Sequence, residues 1–246
     1  MKNKNVYLNK NILVCGMARS GISSAVLLAK LGAEVTLQDA KTRDEIKPQD
    51  IFAEIEKHNI SLFLGRNPDD IVARFDLVVV SPGIPCYLPF FGKAKELGVE
   101  LIGEIELAYR LCPCRILAVT GTNGKTTTTA LLGEIMRRHK SGSVTVGNIG
   151  APFTDKVIKL NEDAFAVAEL SSFQLETVKE FKPKVAVMLN ITPDHLNRHR
   201  TMENYISAKE NIFKNQAEND FAVLNYNDTY CREMAGRIKS TRFRIR

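Results

Sequence analysis

No apolar run in this 246-residue chain approaches the roughly 20 residues that cross a bilayer. The opening MKNKNVYLNK also lacks the apolar core of a secretory leader. A soluble, cytoplasmic protein without membrane insertion is expected. Tryptophan is absent and cysteine is sparse. The five cysteines, Cys15, Cys86, Cys112, Cys114 and Cys231, are an odd set, which excludes a fully paired disulfide scaffold. Cys112-Pro113-Cys114 is too tight for a zinc Cys-x-x-Cys, so the thiols read as reduced. Nine prolines and 15 glycines exclude a collagen-like or disordered chain, and no repeat or low-complexity tract occurs. Charge of one sign is also lacking: 34 Lys+Arg against 28 Asp+Glu leaves +6, compatible with an anionic ligand such as a nucleotide. The basic residues are scattered without an accompanying motif, so nucleic acid is not an expected partner.

What is present is an ordinary globular composition, long enough for one large domain or two of ordinary size. Asn11 to Cys15 reads as a buried strand, Ile22 to Leu31 as a helix and Glu34 to Asp39 as a second strand. Together they form a βαβ unit of about 30 residues. Strands at Ser61 to Leu64 and Leu77 to Val80 and a helix at Leu88 to Leu97 follow. A second opening begins with the strand Arg115 to Thr120 and a helix reaching about His139. Further strands are expected at Ser143 to Val146, Phe165 to Ala168, Lys184 to Asn190 and Phe221 to Asn225, with a helix over Met202 to Asn215. Strands alternating with helices predict an α/β protein with mostly parallel sheets. The boundary is placed near Gly103, giving a Rossmann-like unit over 1–103 and a phosphate-loop unit over 104–246. Ser240 to Arg246 reads as a strand stopping mid-element, so the second unit is expected to be truncated.

The strongest chemical signal is Gly121-Thr122-Asn123-Gly124-Lys125-Thr126-Thr127 between a strand and a helix. Glycines let backbone amides wrap phosphate oxygens, and the helix N-terminus adds its positive end. Lys125 offers charge to the β- and γ-phosphates and Thr126 a hydroxyl to magnesium, although the usual pattern would have glycine at Val119. Glu169 ends one apolar strand and His195 lies just past another. Singly, they read as a capping acid and a loop histidine. Jointly, they lie where open α/β sheets bind ligands. His195 and His199 are spaced for a zinc pair on one helical turn, but no glutamate follows His195 and no third ligand suggests itself. Lys209 falls within the apolar stripe of Tyr205, Ile206, Ile212 and Phe213. Its stem either snorkels to solvent or holds an amine of lowered pKa, open to modification.

In the first unit, Gly16-x-Ala18-x-x-Gly21 resembles the dinucleotide fingerprint with alanine replacing the second glycine, which weakens an NAD reading without excluding it. Asp39 can reach a ribose. Ser81-Pro82-Gly83 is a rigid turn or a ligand contact.

These segments together resemble the Mur ligases of peptidoglycan synthesis. The phosphate loop, Gly147-Asn148-Ile149-Gly150, Asn190 to Leu196 and Tyr205-x-x-Ala208-Lys209 all fit. Glu169-Leu170-Ser171-Ser172-Phe173-Gln174-Leu175-Glu176 is similar to the stretch of the D-glutamate-adding branch. The resemblance implies an ADP-forming ligase: ATP phosphorylates the alanine carboxylate of UDP-N-acetylmuramoyl-L-alanine, and the D-glutamate amine displaces phosphate to leave an amide. It further implies that Thr126, Glu169, His195 and a carbamylated Lys209 hold Mg2+, with Lys125, Lys209 and His195 catalytic. Gly121 to Thr127 would hold ATP. Asn148, Ser171 and Gln174 would hold the sugar nucleotide, with its uridine end near Gly16, Met17, Ala18, Asp39, Ala40, Ser81 and Gly83. Asn197 stands where the family commonly has Asp. Such ligases carry a third domain that is not found here, so this chain alone is expected not to turn over, and a monomer is expected. The competing readings are a sister ligase, including one adding glutamate to folate, a non-catalytic nucleotide-sugar module and an NAD oxidoreductase.

Overall fold

The computed structural model describes residues 4–245. The chain divides into two compact units between Leu111 and Cys112, so the helix Glu104–Leu111 belongs to the first unit.

The first unit is a five-stranded sheet of β1 (Asn11–Cys15), β2 (Glu34–Asp39), β3 (Ser61–Leu64), β4 (Leu77–Val80) and β5 (Glu100–Gly103), in the order β3-β2-β1-β4-β5 and parallel throughout. Ile12 to Cys15 of β1 and all of β4 are continuous apolar runs because a central parallel strand is covered on both faces. Leu13, Cys15, Val78 and Val80 pack with Val72, Phe90 and Ala94 in one cluster. Burying each of the larger of these side chains stabilises the fold by about 1.5–3 kcal/mol. The chain winds one way from β1 and the other way from β4, so a crevice opens beyond their carboxyl ends. β5 is not foreseen in the sequence, since only Leu101 and Ile102 in it are bulky and apolar.

The second unit is a six-stranded sheet of β6 (Arg115–Thr120), β7 (Val144–Gly147), β8 (Phe165–Glu169), β9 (Val185–Met188), β10 (Phe221–Asn225) and β11 (Thr241–Ile245). Its order is β11-β10-β9-β6-β8-β7, again all parallel. β6 lies between β8 and β9, so the carboxyl ends of these three strands share one rim. The strand expected at Ser240 to Arg246 is observed as Thr241–Ile245; Arg246 lies outside the described residues. The helix expected over Met202 to Asn215 stops at Glu210 and continues as a 3-10 turn over Asn211–Phe213. Side-chain amides draw this segment onto neighbouring backbone: Asn211 donates to the Leu175 carbonyl, and Asn215 to those of Lys179 and Phe181.

One contact in the first unit admits only glycine. A Cβ on Gly21 would lie 1.8 Å from the Gly16 carbonyl oxygen, so the helix Arg19–Lys30 can press against the loop only because nothing is there. Gly21→Ala is expected to destabilise this unit by about 1–3 kcal/mol or more, read as a lower urea midpoint. At Gly83 a Cβ would meet nothing within 4 Å, and Gly83→Ala is expected to stay within about 0.5 kcal/mol of the parent.

Candidate functional site

The phosphate loop leaves the end of β6 and enters the helix Lys125–His139 through Gly124, whose φ of +81° is a left-handed conformation suited to glycine. Asn190, just past β9, holds the loop. Its carbonyl accepts from Thr122 N at 2.9 Å, and its side chain both accepts from Asn123 N at 2.8 Å and donates to the Asn123 carbonyl at 3.1 Å. The Thr122 hydroxyl donates to the Thr192 carbonyl and accepts from Thr192 N at 3.0 Å. It also meets the Tyr205 hydroxyl at 2.9 Å. Lys125 folds back so that Nζ donates to the Thr122 carbonyl at 2.7 Å. Thr126 and Thr127 are exposed on the first helical turn, where amides have no partner within the helix.

Glu169 ends β8 in register with Val119 of β6 and Gly147 of β7. It is 1% exposed, and its Oε1 accepts from Asn148 Nδ2 at 2.8 Å. Its Oε2 is buried with no partner. Such an oxygen is costly to leave unmatched and suits a cation. The approach of β7 depends on Gly147, where a Cβ would fall 2.3 Å from the Glu169 carbonyl oxygen.

Lys209 does not snorkel. It is 1% exposed, and its Nζ donates to the Gly121 carbonyl at 2.7 Å and lies 3.5 Å from Thr120 Oγ1. The same atom sits 4.9 Å from the Tyr205 ring centroid. Burial, with Lys125 nearby adding repulsion and Asp194 opposing it, pushes the pKa down to about 7. The apolar stripe that suggested a stem running to solvent instead carries the amine beneath the phosphate loop.

His195 has φ +51°, and its side chain is about half exposed (52%), with Nε2 3.4 Å from Asp194 Oδ2 and its ring 5.0 Å from that of Phe173. His199 is buried, with Nε2 2.9 Å from Ser172 Oγ and Nδ1 3.3 Å from Glu176 Oε1, so both nitrogens have partners within the protein. Burial holds its pKa below the ordinary histidine range, against the pull of Glu176. Among the described residues, no group of three or more His, Cys, Asp and Glu is placed to hold a metal. Ser171 and Gln174 face each other in a capping box at the start of the helix Ser172–Leu175.

In the first unit, Asp39 uses both carboxylate oxygens on backbone, accepting from Met17 N at 2.8 Å and Lys41 N at 3.0 Å. Ser81 donates to the Gly16 carbonyl at 3.1 Å, and its own N–H is bonded to Cys15. Gly16, Met17, Asp39 and Ser81 thus come together at the crevice, with Ala18 exposed at the start of the helix and Ala40 exposed after β2. Gly83 lies two residues past Ser81. In the sequence His199 reads only as half of a zinc pair with His195, and Asn190, Tyr205 and Glu176 carry no individual role. For Asn190 the signal was available: a side-chain amide directly after a buried strand, at the ligand-binding rim.

The Lys209 environment fixes a pH dependence. In the unfolded chain the amine keeps its proton to about pH 10.5, whereas in the fold it releases it above about 7. Between those values the unfolded chain holds more protons, so stability rises with pH through that window. Lys209→Met is expected to flatten the rise, measured by urea unfolding of the chain in CO2-free buffer from pH 6 to 10.

Residues 10–103 match the N-terminal domain of Mur ligases of the MurD-like type, and residues 119–246 match the Mur ligase middle domain. A UDP-N-acetylmuramoylalanine--D-glutamate ligase from Clostridioides difficile is 51% identical over 228 residues, covering 92% of this chain and 50% of that protein. One of the same name from Alkaliphilus metalliredigens is 48% identical over 227 residues, covering 92% and 50%. The chain thus spans about half the length of the curated relatives it matches. In fold it is similar to the UDP-N-acetylmuramate:L-alanyl-gamma-D-glutamyl-meso-diaminopimelate ligase of Neisseria meningitides, with TM-score 0.62 and 18% identity over 96% of this chain and 78% of that one. It is also similar to the UDP-N-acetylmuramate-alanine ligase of Thermotoga maritima, with TM-score 0.53 and 22% identity over 97% and 53%. With both units matched in order and the middle domain alone covering half the sequence, the chain belongs to the Mur ligase family.

Proposed function

We propose that this chain supplies the sugar-nucleotide and ATP units of a ligase that joins D-glutamate to UDP-N-acetylmuramoyl-L-alanine. The observation that carries this reading is the pairing of two buried ionisable side chains at one rim. Lys209 is bonded to the phosphate loop, and Glu169 has one oxygen unmatched at the end of the strand beside it. The two relatives named above, both D-glutamate ligases by name, support the choice of amino acid.

Lys125 exchanges the Thr122 carbonyl for phosphate oxygens of ATP, while the amides of the first helical turn receive the remaining charge. When bound, Mg2+ would supply positive charge against the transferring phosphoryl group. Glu169 and His195, with the Thr126 hydroxyl, are the residues that would hold it. An ammonium cannot ligate a cation, but the unprotonated amine of Lys209 can attack CO2, forming the N–C bond and releasing one proton to solvent, to become a carbamate that would; its depressed pKa supplies that amine near neutrality. The γ-phosphoryl group passes from ATP to the alanine carboxylate with release of ADP; the unprotonated D-glutamate amine attacks the acyl phosphate, phosphate leaves, and the nitrogen gives up a proton to solvent to leave the amide. Asn148, Ser171 and Gln174 contact the sugar nucleotide in the second unit. The crevice around Gly16, Met17, Ala18, Asp39, Ala40, Ser81 and Gly83 takes its uridine end.

Calorimetry on this chain tests the reading. Mg-ATP and UDP-N-acetylmuramoyl-L-alanine are each expected to bind saturably, and NAD not at all. Binding of NAD without the sugar nucleotide would overturn the assignment. Lys125→Ala removes a charge-assisted hydrogen bond of about 1.5–3 kcal/mol and is expected to weaken Mg-ATP by about 10- to 100-fold.

A further inference from the structure

Glu176 closes the segment that opens at Glu169, and its carboxylate is divided between two partners on the turn that carries His195. Oε2 accepts from Arg198 Nη2 at 2.9 Å, and Oε1 lies 3.3 Å from His199 Nδ1. With that nitrogen donating, Nε2 of His199 accepts from the Ser172 hydroxyl at 2.9 Å. Phe173 lies within the same frame: the Arg198 guanidinium is 4.7 Å from its ring centroid, the His199 ring 5.2 Å and the His195 ring 5.0 Å. Asn204 donates to the His199 carbonyl at 2.9 Å and completes the enclosure.

The turn needs holding. Its one-turn helix Leu196–His199 is bracketed by two non-glycine residues in the left-handed region, His195 at φ +51° and Arg200 at φ +71°. Such conformations persist where surrounding contacts over-determine them. The contacts that do so here, an ion pair, a buried imidazole and an aromatic face, all converge on the segment Ser172 to Glu176.

We propose that Glu176 is a positioning residue that ties the segment beginning at Glu169 to the turn carrying His195, and so fixes how those two side chains stand relative to each other. The role presupposes the metal–nucleotide function given to both above. Glu176 acts through Arg198 and His199, and its own oxygens are occupied by them. Outer-shell groups of this kind orient the residues that ligate.

The test uses this chain and its four histidines, His58, His139, His195 and His199. Their ring Cε1–Hε1 signals in 13C-labelled protein are assigned by single substitution. In Glu176→Leu the His195 signal is expected to move as its ring leaves the face of Phe173. The signals of His58 and His139 stay in place and report an intact fold. The milder Glu176→Gln is expected to move the His195 signal in the same direction by less. Mn-ATP binding, followed by water-proton relaxation, is expected to weaken roughly 10- to 100-fold in Glu176→Leu. A His195 signal unmoved in both variants overturns the role, and so does Mn-ATP affinity equal to that of a parent that binds. A parent that fails to bind Mn-ATP overturns the proposed function instead, and the His195 signal then decides the positioning role by itself.

Discussion

The phosphate loop is held in place by a buried lysine amine. Lys209 places its amine under the turn, bonded to the Gly121 carbonyl and close to the Thr120 hydroxyl, with an aromatic face at its side. An uncompensated ammonium at that depth is expensive, and the protein lessens the cost by letting the proton go. The helix Met202–Glu210 therefore cannot shift without stranding either the amine or the loop carbonyl. Tyr205, one turn earlier on the same helix, meets the next loop residue through Thr122. One helix thus fixes two successive positions of the loop, and the dispositions of Lys125 and Thr126 follow from that.

Both units follow the same architectural logic in different ways. In each, a parallel sheet is wound in two directions from a central strand, and the glycine-rich turn after that strand lies where the directions diverge. In the first unit, Asp39 and Ser81 give their polar atoms to the loop backbone, from the neighbouring strands β2 and β4. In the second, Asn190 and Glu169 reach the rim from β9 and β8, but one carboxylate oxygen remains unmatched. The first crevice is satisfied by its own side chains; the second is electrostatically unfinished.

The sequence shows those features that depend on local periodicity. The strands Asn11 to Cys15 and Arg115 to Thr120, buried after their first residue and each leading into a glycine turn and a helix, determine the α/β class and the location of both crevices. β5 escapes because its four residues offer too little pattern. The state of Lys209 also escapes: a stripe of Tyr205, Ile206, Ile212 and Phe213 shows that a face is apolar, not how deep it lies or what covers it. The partners of Asp39 and Glu176 are tertiary, formed across 22 residues in each of two cases, and no spacing rule relates them. Candidate ligands at strand ends are therefore legible one at a time, while the network that aims them is not.

The side chain of Asn190 meets the Asn123 backbone with both an acceptor and a donor, which is how one strand meets another. At Asn123 the loop is in effect spliced into the sheet by a residue that is not itself part of a strand. Its order is established as the chain folds, so anion capture need not also freeze a wandering segment. The tightness of that capture then reflects how well the loop is shaped beforehand more than how many contacts it makes.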